Sequence, residues 1–215
     1  TAYRRQRQMC IRDRLDAGGL TLASVQDDAP YTYAGANGKS VNNYDRRYRG
    51  FTTLREAITD SINIVTVKTL AQAGVSLGWQ YVQEYGFTTV DSRDMNEALA
   101  LGGITQGVSN LELTAAYAAI ANQGTYIKPK FYTKILDHDG NVLIDNTPES
   151  HTVIKDTTAW LLTSAMEDVM TSGTGTSAYF GSSMAQAGKS GTTTSSRDAL
   201  FAGYTPDYTL SLIHI

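Results

Sequence analysis

Residues 156–209 read DTTAWLLTSAMEDVMTSGTGTSAYFGSSMAQAGKSGTTTSSRDALFAGYTPDYT. In the first part, Leu161, Leu162, Ala165, Met166, Val169 and Met170 recur at i, i+1, i+4, i+5, i+8 and i+9, the period of one helix face. A helix is expected over 156–172, ended by Gly173. Three short strands are expected after it, at about 185–194, 199–204 and from 207 onward, with Pro206-Asp207 as a turn. A helix followed by neighbouring strands with short turns argues for an antiparallel sheet packed with helices, an α+β fold.

Upstream, the pattern stays mixed. Residues 130–145 read as a hairpin turning at Asp139-Gly140. Ser109-Asn110-Leu111-Glu112 is a capping box opening an alanine-rich helix that ends near Gly124. Its small side chains imply close packing inside a core. Residues 87–108 look irregular, and a short helix is expected over 76–85, ending at Gly86. Thr53-Leu54-Arg55-Glu56 is another capping box, and Leu54, Ala57 and Ile58 begin an apolar face. The polar break Ser61-Ile62-Asn63 follows. Val65, Val67, Leu70 and Ala71 then resume a helical run up to Gly74, placed as the glycine that terminates a helix. Residues 15–50 read as loop. No internal repeat is visible. Trp79 and Trp160 are expected as core or half-buried anchors, and Tyr31 and Tyr33 as loop packing. The Gly-Thr-Gly-Thr run at 173–176 follows a helix instead of preceding one, so it reads as a helix end and turn, not a phosphate loop.

The chain has 215 residues, 41% hydrophobic and 18% charged, enough for one domain with a sizeable core or two small ones. That composition excludes a disordered chain. The run from Leu113 to Ala121 is too short and too polar to cross a bilayer, and no signal peptide pattern is present. Cys10 alone cannot form an intrachain disulfide or a thiolate zinc site. His138, His151 and His214 show no metal-ligand spacing, so no metal or cofactor is expected. A net charge of −3 does not suggest a nucleic-acid binder.

The two ends are expected to be foreign. The string RRQRQMCIRD at 4–13 resembles the translation of a transposase-tagging sequencing adapter, and LSLIHI at 210–215 matches the translation of its reverse complement. Segments 1–14 and 210–215 are therefore set aside from fold reasoning. Without Arg4, Arg5, Arg7, Arg12, Arg14 and Asp13, Lys plus Arg falls from 18 to 13 and Asp plus Glu from 21 to 20, so the net charge moves from −3 to −7.

Two polar motifs carry the functional reading. Lys189-Ser190-Gly191-Thr192 opens the strand run. By itself it is compatible with a plain Ser/Gly/Thr-rich strand end. Functionally, a lysine supplies positive charge for a carboxylate or oxyanion, a glycine lets another backbone approach the strand, and flanking hydroxyls can bind carboxylate oxygens. Ser61-Ile62-Asn63 is compatible with an ordinary helix-to-helix kink, because Ser and Asn bond locally to backbone. Functionally, it projects a hydroxyl and an amide together from a tight loop.

Taken with NNYDRRYRGFTTLREAITDSINIVTVK (42–68), LALGGITQGVSNLELTAAYAAIANQGTYIKP (99–129) and TSGTGTSAYF (171–180), these motifs make residues 20–209 resemble the transpeptidase domain of a penicillin-binding protein, of the bifunctional class A type. The S-x-N and K-[ST]-G pair is a signature of these serine acyl-transferases. The resemblance implies an antiparallel sheet with helices plus a helical subdomain. It implies D,D-transpeptidation of peptidoglycan stem peptides ending in D-Ala-D-Ala, with acylation by β-lactams. Ser61, Asn63 and Lys189 would be catalytic, and Ser190, Gly191 and Thr192 would bind substrate. It further implies a membrane anchor outside this sequence, the extracytoplasmic face of the bacterial plasma membrane, and cell-wall synthesis proteins as partners. A D,D-carboxypeptidase or a non-catalytic penicillin-recognising sensor would share the motifs. One element departs from the family pattern: no serine here is followed by lysine three residues later. The nucleophile of the S-x-x-K motif is expected just before Leu15. Residues 15–209 would then be the later, incomplete part of the domain, inactive as they stand.

Overall fold

The computed structural model describes residues 15–34, 39–181, 183–192 and 199–214. The central sheet has three antiparallel strands: β9 (Ala187–Thr192), β10 (Ala199–Tyr204) and β11 (Thr209–His214), in the order β11-β10-β9. Its register places Ala202 opposite both Lys189 and Ser211. Side chains alternate across a strand. Ala187, Leu200, Ala202 and Tyr204 face the buried side, whereas Leu210 and Leu212 are exposed.

Helices α4 (Asn110–Ala121) and α5 (Asp156–Thr171) pack against this sheet. Leu162, Ala165, Met166, Val169 and Met170 of α5 are buried, as the period predicts. Each such apolar side chain removed from water contributes about 1.5–3 kcal/mol, less for alanine. Tyr204 binds the layers together, its phenol 2.7 Å from the Thr163 hydroxyl, and burial pushes that phenol's pKa up. On α4, Ser109 caps the Glu112 N–H while the Glu112 carboxylate accepts from the Ser109 N–H, the reciprocal pair expected there.

A helical layer lies beyond α5. Helix α1 (Leu54–Thr59) starts from the Thr53/Glu56 capping box and packs on α5. Helix α2 (Asn63–Ala73) ends at Gly74, φ 91°, and α3 (Val75–Glu84) follows. Leu54, Ile58, Ile62, Ile64 and Leu70 are almost fully buried, in one continuous core with the α5 face. The irregular stretch 87–108 contains only two 3₁₀ turns, at Ser92–Asp94 and Glu97–Leu101.

Several expectations need correction. Residues 15–50 are not all loop. A helical turn covers 15–17, β1 (Val25–Asp28) pairs with β4 (Gly50–Thr53), and β2 (Tyr31–Thr32) pairs with β3 (Ser40–Val41). The β1 and β4 partners lie more than 20 residues apart in sequence, and β2 and β3 are only two residues each, too short for an alternating pattern to show. Likewise β5 (Thr125–Ile127) pairs with β8 (Ser150–Thr152), bracketing the expected hairpin β6 (Lys134–Leu136) and β7 (Val142–Asp145). Trp160 is 68% exposed, pointing away from the α5 core face, whereas Trp79 packs half-buried on the core. Segment 1–14 and the last two residues of the strand expected over 185–194 lie outside the described residues.

Residues 210–214, set aside as foreign, complete β11 along the free edge of β10. Ser211 exchanges hydrogen bonds with Asn110 of α4: its hydroxyl donates to Asn110 Oδ1 at 2.7 Å, and its carbonyl accepts from Asn110 Nδ2 at 2.9 Å. An alternating β-prone segment pairs readily with an open sheet edge. The outer face of the sheet carries an apolar groove of about 320 Å³, lined by Met170, Phe180, Phe201, Tyr208, Leu210 and Leu212.

Candidate active site

Helix α1 closes in a tight reversal. The N–H groups of Asp60, Ser61 and Ile62 donate back to the carbonyls of Glu56, Ile58 and Ala57. Ile62 is drawn into the core at 1% exposure. Ser61, between Asp60 and this anchor, takes φ 60°, the left-handed region that non-glycine residues rarely occupy. The loop thereby directs the Ser61 hydroxyl at the sheet while α2 begins two residues later.

Strand β9 supplies the charge. The Lys189 side chain is almost buried, with 3% of the residue exposed. Its ammonium donates to Ser61 Oγ at 2.8 Å, to the Ser190 carbonyl at 3.1 Å and to Thr174 Oγ1 at 3.4 Å. Ala202, directly opposite, adds little bulk to the strand pair beside the lysine. Ser190 and Thr192 alternate to the other side of β9 from Lys189. Gly191 lies between them and is buried.

The Gly-Thr-Gly-Thr run ends α5 as expected, with the Gly175 N–H on the Val169 carbonyl. It also does something the sequence reading missed. Thr174 Oγ1 accepts from Ser190 Oγ at 2.9 Å as well as from Lys189. A Cβ on Gly173 would collide with the Thr59 carbonyl, and the Thr174 N–H donates to that same carbonyl at 3.3 Å. The glycine lets the loop lie flat on the end of α1 and carries the Thr174 hydroxyl to the lysine. Ser61, Thr174, Lys189 and Ser190 thus meet, although they come from three separate stretches of chain.

Asn63 is 1% exposed. Its Nδ2 donates to the Asn42 carbonyl at 2.6 Å, and its Oδ1 has no partner among the described residues. Gly191 and Thr192 continue the strand beyond the cluster. Among the described residues, no three His, Cys, Asp or Glu side chains gather in a way that could hold a metal ion. A buried ammonium beside a serine hydroxyl can stabilise negative charge on an oxygen and hold a proton path. Neighbouring hydroxyls can complete a carboxylate site.

The family model for the penicillin binding protein transpeptidase domain matches residues 14–213. The chain belongs to that family. It is 40% identical over 173 residues to penicillin-binding protein 1F of Bacillus subtilis, covering 78% of this chain and 24% of that protein. It is 36% identical over 207 residues to penicillin-binding protein 1A of Clostridium acetobutylicum, covering 92% of this chain and 25% of the relative. The resemblance to class A penicillin-binding proteins therefore holds across most of the chain, which spans about a quarter of these relatives' length.

Solved penicillin-binding protein structures share the fold. Penicillin-binding protein 1A from Haemophilus influenzae superposes with a TM-score of 0.82 at 25% identity, covering 94% of this chain and 36% of that one. The D,D-transpeptidase domain of a peptidoglycan glycosyltransferase from Eggerthella lenta gives 0.80 at 19% identity, covering 99% and 59%. The mixed helix and antiparallel-sheet architecture is thus that of penicillin-binding protein transpeptidase domains. No helix among the described residues is long and apolar enough to cross a membrane.

Proposed function

We propose that these residues form the later part of a peptidoglycan D,D-transpeptidase domain, a serine acyl-transferase that crosslinks stem peptides and is acylated by β-lactams. The observation that carries this reading is the 2.8 Å contact between Lys189 Nζ and Ser61 Oγ, with Ser190 and Thr174 gathered around it. A serine nucleophile attacks the carbonyl of the penultimate D-alanine. The C–N bond breaks, and terminal D-alanine leaves with a proton on its amine. An amine of a second stem then attacks the ester, the C–O bond breaks, and the serine recovers its proton.

Ser61 relays the proton to the leaving amine, and Lys189 polarises Ser61 and attracts the substrate carboxylate. The Ser190 and Thr192 hydroxyls bind that carboxylate. Asn63 hydrogen-bonds the substrate backbone, and Gly191 leaves room for the peptide along the strand. The Thr192 N–H serves as one oxyanion donor; losing such a donor costs about 2.7–4 kcal/mol.

The nucleophile, in an S-x-x-K motif, belongs to sequence outside these 215 residues, and segments 1–14 and 210–215 are adapter translations. The native protein is anchored in the plasma membrane and works on its extracytoplasmic face, with cell-wall synthesis proteins as partners. The chain by itself is inactive.

The test is covalent labelling by a fluorescent penicillin. The native full-length protein should be labelled and this 215-residue chain should not. Release of D-alanine coupled to dimer formation identifies transpeptidation, whereas release by water alone identifies a carboxypeptidase. A native reading frame without S-x-x-K upstream of Leu15 would overturn the proposal.

A further inference from the structure

We propose that Asn43 is a positioning residue for the Ser61–Asn63 loop, capping α2 from a distant segment and held in orientation by the buried carboxylate of Asp28. The inference rests on the transpeptidase reading only for what the loop does, not for how it is held.

The first N–H groups of a helix have no partner within the helix and need an oxygen from elsewhere. The residue preceding α2 is Ile62, which has no side-chain oxygen to offer. Asn43 replaces the missing cap. Its Oδ1 accepts from the Asn63 N–H at 3.0 Å and from the Ile64 N–H at 3.3 Å. This is the work of an N-terminal capping side chain, done from about 20 residues upstream.

The amide cannot turn round. On its other side, Asn43 Nδ2 donates to both Asp28 carboxylate oxygens, at 2.8 and 2.9 Å, and to the Arg47 carbonyl at 2.7 Å. All three are acceptors, whereas the helix offers only donors. A flipped amide would set donors against donors and acceptors against acceptors. Asp28 is fully buried and Asn43 is 4% exposed, so water does not substitute readily. Asp28 is itself fixed, accepting from the Arg49 N–H at 3.0 Å with the Arg49 guanidinium 3.9 Å away.

The adjacent Asn42 carbonyl takes Asn63 Nδ2 at 2.6 Å. Asn42 and Asn43 together fix the backbone and the side chain of Asn63. Ser61 lies two residues before this clamp. The clamp holds one end of the loop while Lys189 meets the Ser61 hydroxyl from the sheet.

The test combines amide hydrogen exchange with penicillin acylation in the full-length native protein. Asn43→Ala is expected to speed exchange of the Asn63 and Ile64 amides at least about tenfold, with interior α2 amides such as Leu70 unchanged. It should also slow acylation about tenfold or more. The paired variant Asp28→Asn with Asn43→Asp exchanges carboxylate and amide, keeping an acceptor at the helix and a donor between the two side chains while giving up the donor to the Arg47 carbonyl. It should restore part of the protection and part of the acylation rate, above the level of Asn43→Ala. Unchanged Asn63 and Ile64 exchange in Asn43→Ala overturns the proposal. If Asn43→Ala unfolds, the paired variant decides: recovery of both readouts supports the clamp, and failure to recover rejects it. If the wild type is never acylated but exchange follows this pattern, the clamp stands and the transpeptidase reading falls.

Discussion

The Lys189 ammonium donates to the Ser61 hydroxyl at 2.8 Å although the two residues lie 128 positions apart. One is fixed by an edge strand of the sheet and the other by a left-handed turn between helices. Their meeting depends on α1, α5 and β9 packing as a unit. Replacing Lys189 by alanine in the full-length protein is expected to slow penicillin acylation about a hundredfold, by removing the charge beside the hydroxyl. Lys189→Arg should recover little, because a planar guanidinium cannot occupy the position of a compact ammonium. Stopped-flow labelling with a fluorescent penicillin measures both.

Thr174 is expected to matter through its hydroxyl. Thr174→Ala removes the acceptor shared by Lys189 and Ser190, and acylation should fall about tenfold, a loss of about 1.4 kcal/mol. Thr174→Ser keeps the oxygen and should retain most activity. Equal loss in both variants would assign the effect to packing of the methyl group.

Two glycines separate steric from conformational cost. Gly124 has φ 88°, and a Cβ there would land on the Ile154 carbonyl. Gly140, at φ 86° in the β6–β7 turn, has nothing within 4 Å of the same position. Gly140→Ala should cost about 1 kcal/mol, and Gly124→Ala at least about 3 kcal/mol, since backbone there cannot yield. Urea denaturation of both variants gives the comparison.

Glu112 carries a pH-dependent share of stability. Burial pushes its pKa up, but hydrogen bonds from the hydroxyls and N–H groups of Thr88 and Ser109 outweigh this and leave it below its ordinary value of 4.5. A depressed folded-state pKa stabilises fully above the unfolded value and loses that contribution as pH falls through the folded one. The stability gap between wild type and Glu112→Gln should therefore be constant near neutrality and narrow below about pH 4.5. A gap that widened on acidification would contradict the sign.

Trp160, on the solvent side of α5, should contribute little to folding. Trp160→Ala is expected to change stability by less than about 0.5 kcal/mol. Its fluorescence should be quenched by iodide far more than that of half-buried Trp79, which the single-tryptophan variants can show.

Locally encoded features were legible in the residues. The Thr53/Glu56 and Ser109/Glu112 boxes are completed within four residues, and the α5 stripe repeats within one helix, so reading order and contact order agree. The lysine and serine motifs could be named for the same reason. What escaped was long-range. Strands β1 and β4 pair across more than 20 intervening residues, so no short loop joins them. Asn43 looks like any loop asparagine until it is seen against α2. Thr174 was read as part of a helix end because a hydroxyl's partners are set by the fold, not by its neighbours in sequence. Trp160 was expected inside because size and helical context do not tell which side of a helix faces the core.

The left-handed backbone of Ser61 sets chain comfort against chemistry at a single position. A glycine there would relax the turn and delete the hydroxyl. Variants chosen only for heat resistance should therefore drift toward glycine or asparagine at 61 and lose the hydroxyl that Lys189 meets, which on the proposed transpeptidase reading leaves them sturdier but mute. Any effort to harden this domain for structural or screening work has to keep that one residue out of the library.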